Sequence, residues 1–288
     1  MSMKMIDIHT HGIGGFNTVT TSVNEILRIA ELHGENSVSK IITAIYSSDM
    51  KTMREHMQAV KGAIEVQSAD MDGAARIIGL HLEGPFLNPA KCGALDASSF
   101  LSPDEHALKE LIDGFEDIVK IITVAPELEG ATALIKHISD LGINVSMGHS
   151  DATYAEAEAG FNAGARGITH LFNAMKGIHH REPGLAGFGL INSDIYVEVI
   201  ADPFHLDQNI LQMIFNVKNP ERIILVSDTV KAAHMEKGDS GIKNQHDTLL
   251  GGSMTIKESS ERLVNMGIDK ETIRKAISDN PRRYLQGN

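Results

Sequence analysis

The chain has little that would bind nucleic acid, cross a membrane or cross-link it covalently. Basic residues are in deficit: 26 Lys and Arg stand against 38 Asp and Glu, a formal net charge of −12. Phosphate backbones attract basic surfaces, so nucleic acid is not an expected partner. A small anion would need a local basic pocket. Cys92 is the single cysteine. One thiol makes neither an intrachain disulfide nor a Cys-based metal cluster, and it fits a reducing, cytoplasmic setting. No run of about 18 apolar residues occurs, so no membrane span or membrane partner is expected. The opening MSMKMIDIHTHG lacks the apolar stretch of a signal peptide. What is present is a chain of 288 residues, 42% hydrophobic, enough for one large core or two modest ones. The 14 histidines are the unusual count.

Short apolar runs alternate with longer amphipathic ones. The runs Met5–His9, Lys40–Tyr46, Arg76–Glu83, Val119–Ala125, Asn144–Gly148, Gly167–Leu171, Tyr196–Ala201 and Arg222–Asp228 are rich in Ile and Val. Most read as strands buried on both faces, as parallel strands are. Helical patterns cover Ser22–Leu32, Thr52–Ser68, Pro103–Phe115, Ala131–Leu141, Thr153–Ala163, Asp207–Val217, Ser253–Met266 and Lys270–Leu285. Thr21 is a candidate N-cap, Pro103 and Asp104 suit a helix start, and Gly142 suits a helix end. Eight strands alternating with helices predict an α/β fold of the (β/α)₈ TIM-barrel type, with a doubly wound open sheet as the competing architecture. No repeat or linker divides the chain, so one barrel domain over residues 1–288 is expected. Lys237–Leu250, with Gly238, Asp239, Ser240 and Gly241, reads as an irregular excursion after the last strand.

In a barrel of this kind, chemistry gathers where the strands end. The first strand runs into His9-Thr10-His11, the third ends at Glu83, and the fifth ends at Gly148-His149-Ser150. The sixth ends at Thr169-His170-Leu171, the seventh leads to Asp202 and His205, and the eighth ends at Ser227-Asp228. Alternation along a strand places His9 and His11 on one face, a metal half-site. Taken singly, each residue has a plain explanation: a hydrogen-bonded core histidine, a buried ion pair, a turn cap. Jointly these explanations weaken, because burying several unpaired ionisable groups together is costly. A divalent cation would satisfy them at once, and histidines with carboxylates suit zinc or another borderline metal. His81 shares the strand face of Glu83 and reads either as its support or as packed core. His33, His56, His106 and His137 fall in helical patterns and are expected at the surface. His179, His180, His234 and His246 stay unassigned.

The stretches IDIHTHG, GLHLEGPFLNPAKCGA, VSMGHSDATYAEA, THLFNAMKGIHHREPGLAG, ADPFHL and ILVSDT resemble N-acetylglucosamine-6-phosphate deacetylases of the amidohydrolase superfamily. They come in family order and span nearly the whole chain. The resemblance implies a metal-dependent hydrolase that cuts the acetamide of a phosphorylated amino sugar. It implies that Glu83, His149 and His170 hold the main metal, and that His9 and His11 hold a second one, with Glu83 bridging. One or two divalent ions, zinc foremost with iron or manganese as alternatives, are the implied cofactors. Asp228 matches the catalytic acid/base and lies beside the metals. Arg181 and His205 match residues that bind the sugar phosphate, and in the family the arginine can come from the partner subunit, so a homodimer is expected. Asn173 and Ala174 match a loop whose main chain assists. Gly251–Met254, including Gly252 and Ser253, resembles a loop that closes over the sugar. Lys176–Arg181 would supply the local basic pocket.

Three departures from the family pattern stand out. The segments that build its accessory β-sandwich are missing, so a barrel without the sandwich is expected. Leu95 stands where the family carries a substrate-contacting histidine, and Pro203 stiffens the turn before His205. Two alternatives therefore accompany the deacetylase reading: an amidohydrolase acting on another amide or cyclic amide, and a non-catalytic sugar-phosphate-binding paralogue. The presence of Asp228 argues against the second, since a pure binder needs no acid/base.

Overall fold

The computed structural model describes residues 4–67, 73–235 and 241–287. Eight parallel strands form one sheet: β1 Met5–Thr10, β2 Val38–Tyr46, β3 Arg76–Glu83, β4 Val119–Val124, β5 Asn144–Met147, β6 Gly167–Ile168, β7 Tyr196–Ile200 and β8 Ile223–Val226. They lie side by side in chain order. The sheet closes where β8 returns to β1: the Asp228 N–H donates to His9 O at 2.9 Å and the His11 N–H to Thr229 O at 2.8 Å. This is the (β/α)₈ barrel, and the closure rules out the open sheet.

The helices are α1 Val23–Glu35, α2 Met50–Val66, α3 Glu105–Ile112, α4 Ala131–Asp140, α5 Tyr154–Ala163, α6 Gly184–Ile191, α7 Gln208–Val217 and α8 Ile256–Asn265, followed by a helical run over Lys270–Gln286. Their starts follow the local chemistry. Ser22 caps α1, and Thr153 with Glu156 and Thr255 with Glu258 form reciprocal capping boxes on α5 and α8. Outward residues such as Ile41 and Val145 join Ile26, Met57, Leu108 and Leu134 of the helices in one buried apolar cluster. Burial of apolar area between strands and helices is the main stabilising term. Two short hairpins, Gly12–Ile13 with Phe16–Asn17 and Ile242–Lys243 with Leu249–Gly251, lie beyond the strand ends.

Several details depart from the sequence-based reading. The helix α6 was not anticipated. Its sequence, GLAGFGLI, is buried from Gly184 to Leu190, so no polar face marks a helical period, and its glycines disfavour helix. Helix α1 is capped by Ser22 rather than Thr21, and α3 by Asp104. His33 and His56 are buried, not surface residues. They sit on the inward stripes of α1 and α2, in step with Ile26, Ile29 and Ala30 and with Met53, Met57 and Val60. Ser68, Lys237, Gly238, Asp239 and Ser240 lie outside the described residues; Gly241 is within them.

Candidate active site

The C-terminal ends of the strands open into a cavity of about 1480 Å³. Glu83, His149, His170, His11 and Asp228 line its floor, and His9 lies just beneath, fully buried. These six side chains come from β1 (His9) and the residue just after it (His11), from β3, and from the turns after β5, β6 and β8. Sequence analysis named all six, and the fold brings them together.

Their donor atoms form two nests that share Glu83. In the first, Glu83 Oε1 lies 3.0 Å from His149 Nε2 and 2.9 Å from His170 Nε2, and the two histidine nitrogens are 3.2 Å apart. In the second, His9 Nε2 and His11 Nε2 are 3.2 Å apart. Glu83 Oε2 is 3.2 Å from His11 Nε2, and Asp228 Oδ1 is 3.5 and 3.4 Å from His9 and His11. Donors bound at about 2.0–2.1 Å to a tetrahedral ion lie roughly 3.4 Å from one another. The second nest, at 3.2–3.5 Å, has this spacing, and the first is tighter, at 2.9–3.2 Å.

The protonation pattern also fits a cation. His149 Nδ1 lies 2.9 Å from Lys91 O, which only accepts, so Nδ1 carries the hydrogen. In the neutral ring, Nε2 then presents a lone pair to a carboxylate oxygen, an arrangement that calls for a proton or a metal between them. Burial holds the His9 imidazole well below its ordinary pKa, which keeps a ligand nitrogen free. Burial opposes ionisation of Glu83, but the imidazoles of His11, His149 and His170 set against its oxygens outweigh it and hold the carboxyl well below the usual range. Asp228 goes the other way: burial first, then the nearby Glu83 and Glu198, push it well above that range. Two neighbouring carboxyls driven apart in this way suit separate ligand and proton-carrier roles. A divalent charge in the nests would bring Asp228 back toward the carboxylate.

The backbone is bent to aim these groups. His149, His170 and Asp228 have φ of +46°, +32° and +49°, the left-handed region that non-glycine residues rarely enter. Such conformations concentrate at functional sites because the surroundings must hold them. They also explain why β5, β6 and β8 stop short of the predicted strand ends.

The predicted substrate contacts divide into two groups. Asn173, Ala174 and His205 line the cavity. His205 Nδ1 is 3.0 Å from both oxygens of Asp202; burial raises Asp202, but its hydrogen bonds from His205 prevail and bring it down to about 2. Arg181 does not line the cavity. It sits on an exposed loop, with Nη1 2.8 Å from His180 Nε2. Gly252 and Ser253 are also not on the wall: Gly252 N–H donates to Asp228 O at 2.7 Å, and Ser253 N and Oγ donate to Asp202 Oδ2 at 3.1 and 3.2 Å. Leu95 faces the cavity, with Tyr46, Met235 and Leu250.

Sequence reasoning missed a buried polar layer below the nests. His9 on β1 meets Glu198 on β7, its Nδ1 2.9 Å from Glu198 Oε2. These strands are not neighbours, so both side chains face the barrel axis. His81 packs against His9, ring centres 4.5 Å apart, and its Nε2 is 2.8 Å from Thr123 Oγ1. Thr123, Thr169 and Ser146 continue the chain of hydroxyls. The signal was available: a carboxylate inside the apolar run YVEVI poses the same question as Glu83 inside its own strand.

The family model for amidohydrolases matches residues 3–249. The chain is 32% identical to an N-acetylglucosamine-6-phosphate deacetylase of Bacillus subtilis over 262 residues, 89% of this chain and 64% of that protein. It is 29% identical to an N-acetylgalactosamine-6-phosphate deacetylase of Escherichia coli O157:H7 over 248 residues, 86% of this chain and 64% of that protein. The chain thus spans under two thirds of the length of these relatives. Among solved structures it resembles a variant N-acetyl-D-glucosamine-6-phosphate deacetylase from Mycobacterium smegmatis in complex with N-acetyl-D-glucosamine-6-phosphate. There the TM-score is 0.90 at 28% identity, covering 98% of this chain and 77% of that one.

Proposed function

Because the chain belongs to the amidohydrolase family, we propose that it is a metal-dependent deacetylase of an N-acetylated amino sugar phosphate, with N-acetylglucosamine-6-phosphate the first candidate. One observation carries this reading. Glu83 spans two histidine nests on a cavity floor, with Asp228 beside the second nest. The similarity to deacetylases that act on such sugars supports the substrate class. Zinc is the proposed metal, at one or two ions, since borderline divalent ions favour imidazole with carboxylate. Glu83, His149 and His170 would hold the first ion, and His9, His11 and Asp228, with Glu83, the second.

An amide resists hydrolysis because its carbonyl is a poor electrophile and its amine a poor leaving group. When bound, the divalent ion polarises the carbonyl and makes water more acidic. The chain's own residues do the rest. Asp228 accepts the proton of the attacking water and returns it to the departing nitrogen. His205, fixed by Asp202, presents Nε2 to the cavity as a contact for the sugar or its phosphate. Asn173 and Ala174 form the wall beside the nests. Acetate and an amino sugar phosphate would leave.

The protein is proposed to work in the cytoplasm, as its single unpaired cysteine and small phosphorylated substrate suit. No helix among the described residues is long and apolar enough to cross a membrane. A homodimer is proposed because Arg181 lies off its own chain's cavity, on an exposed loop from which it can reach a second copy. A second reading rests on Leu95, which faces the cavity and cannot donate a hydrogen bond: an amidohydrolase for a different amide.

The test is acetate release from N-acetylglucosamine-6-phosphate by protein stripped with chelator and reloaded with zinc, manganese or iron. Turnover should return with metal and fall about 10²–10⁴-fold in Asp228→Asn. Absence of turnover with all three metals refutes the sugar substrate, and a panel of other amides then decides the second reading.

A further inference from the structure

In each nest one histidine is held from behind. His149 is fixed by the carbonyl of Lys91, and His9 by Glu198. His11 Nδ1 and His170 Nδ1 are buried without a hydrogen-bond partner among the described residues. The second nest therefore depends on a single outer support.

That support is specific. Glu198 is 2% exposed and lies in mid-strand, so it answers to no solvent. Its Oε2 faces two donors, His9 Nδ1 at 2.9 Å and the main-chain N–H of His170 at 3.4 Å. The main-chain N–H of His170 favours a bare acceptor at this oxygen, the arrangement in which the proton shared with His9 sits on the imidazole. A neutral ring with hydrogen on Nδ1 offers its lone pair at Nε2, the atom that faces His11, Glu83 and Asp228. His81, anchored on Thr123, closes the remaining side of the ring. A carboxylate behind a ligating imidazole sets the tautomer, fixes the ring and makes the donor more basic.

We infer that Glu198 is the positioning residue for the second metal seat: through His9 it decides whether the chain takes two divalent ions or one. The inference rests on the proposed function only in needing a metal in the barrel. Removing Glu198 should weaken the second seat far more than the first, whose His149 is oriented independently by Lys91 and whose His170 loses only a long 3.4 Å main-chain contact.

The experiment is zinc binding to the full chain, with no substrate present. Wild-type protein, Glu198→Leu and Glu198→Gln are stripped, titrated with Zn²⁺ against a chromophoric chelator, dialysed and assayed for bound zinc. Wild type should hold two ions per chain. Glu198→Leu removes the acceptor and should weaken the second ion about 100-fold, and Glu198→Gln, a poorer acceptor of similar shape, about tenfold, the range seen when such outer partners are lost. The first ion should lose far less in both. If Glu198→Leu does not fold, the Gln variant decides. Two ions bound as in wild type by the variants, or equal weakening of both seats, overturns the inference. A wild type that takes a single ion overturns it too but leaves the proposed function standing, whereas a wild type that takes none removes both.

Discussion

Gly252 offers a sharp test of how the cavity is built. It was expected to touch substrate, but in the structure it is wedged against the end of β8. Its N–H donates to Asp228 O at 2.7 Å, and a Cβ built on it would lie 1.9 Å from Ser227 O. Real Cβ contacts do not fall below 3.0 Å, so Gly252→Ala must open this gap by about 1.1 Å, the difference between 3.0 and 1.9. Both partners are backbone, and no rotamer change can absorb the shift. Either the Gly251–Ser253 segment lifts away, releasing Asp202 from Ser253, or the turn carrying Asp228 moves. A misplacement of about 1 Å at a reacting group costs on the order of 100-fold in rate, equivalent to roughly 2.7 kcal/mol. The assay is acetate release as kcat/KM, together with bound metal and a thermal melt. The expected result is a loss of about 100-fold, the ion at Glu83, His149 and His170 retained, and a lower melting temperature. Wild-type kcat/KM with a wild-type melt would refute the close-packing argument, and a rise in KM alone would return Gly252 to the substrate.

Three further expectations follow from buried groups and from the cavity wall. Burial lowers the His33 pKa to about 4, so the unfolded chain binds more protons between that value and about 6.5, and stability is lost as pH falls through this window. At pH 5 the loss is about 2 kcal/mol, read as the difference in urea unfolding between wild type and His33→Gln at pH 7 and pH 5; equal slopes would contradict it. Lys218, 2% exposed, donates to Gly189 O at 2.7 Å and Asn192 O at 2.5 Å at the C-terminal end of α6. Lys218→Met should cost about 1–3 kcal/mol, and an unchanged melt would show that the carbonyls find other donors. Leu95→His restores a hydrogen-bonding side chain to the wall and should raise kcat/KM on N-acetylglucosamine-6-phosphate severalfold, by about 1 kcal/mol; a fall would favour the different-amide reading.

The barrel was legible because its strands are buried on both faces and announce themselves as Ile- and Val-rich runs. The five residues on the cavity floor and His9 beneath them were legible because charges and histidines at the ends of apolar runs lack an ordinary explanation. Other features were hidden for definite reasons. Helix α6 is buried all round, so no polar period outlines it. His33 and His56 were assigned to the surface by residue type, although their spacing places them on the inward stripes of α1 and α2. Glu198 escaped notice because it lies mid-strand, where a search of strand ends does not look. Arg181, Gly252 and Ser253 were named by motif alone, and motif order does not say which way a loop faces.

The left-handed turns at His149, His170 and Asp228 have an evolutionary consequence. Each holds a bulky or charged residue where glycine or asparagine would sit more comfortably, at a cost on the order of 1–3 kcal/mol. Asp228→Asn would relax the backbone and remove a buried carboxyl in the same step. A library of variants sorted only for heat resistance should therefore accumulate substitutions at these three positions and yield sturdy barrels without turnover. Natural selection for activity and laboratory selection for robustness pull on this chain in opposite directions at the same three turns.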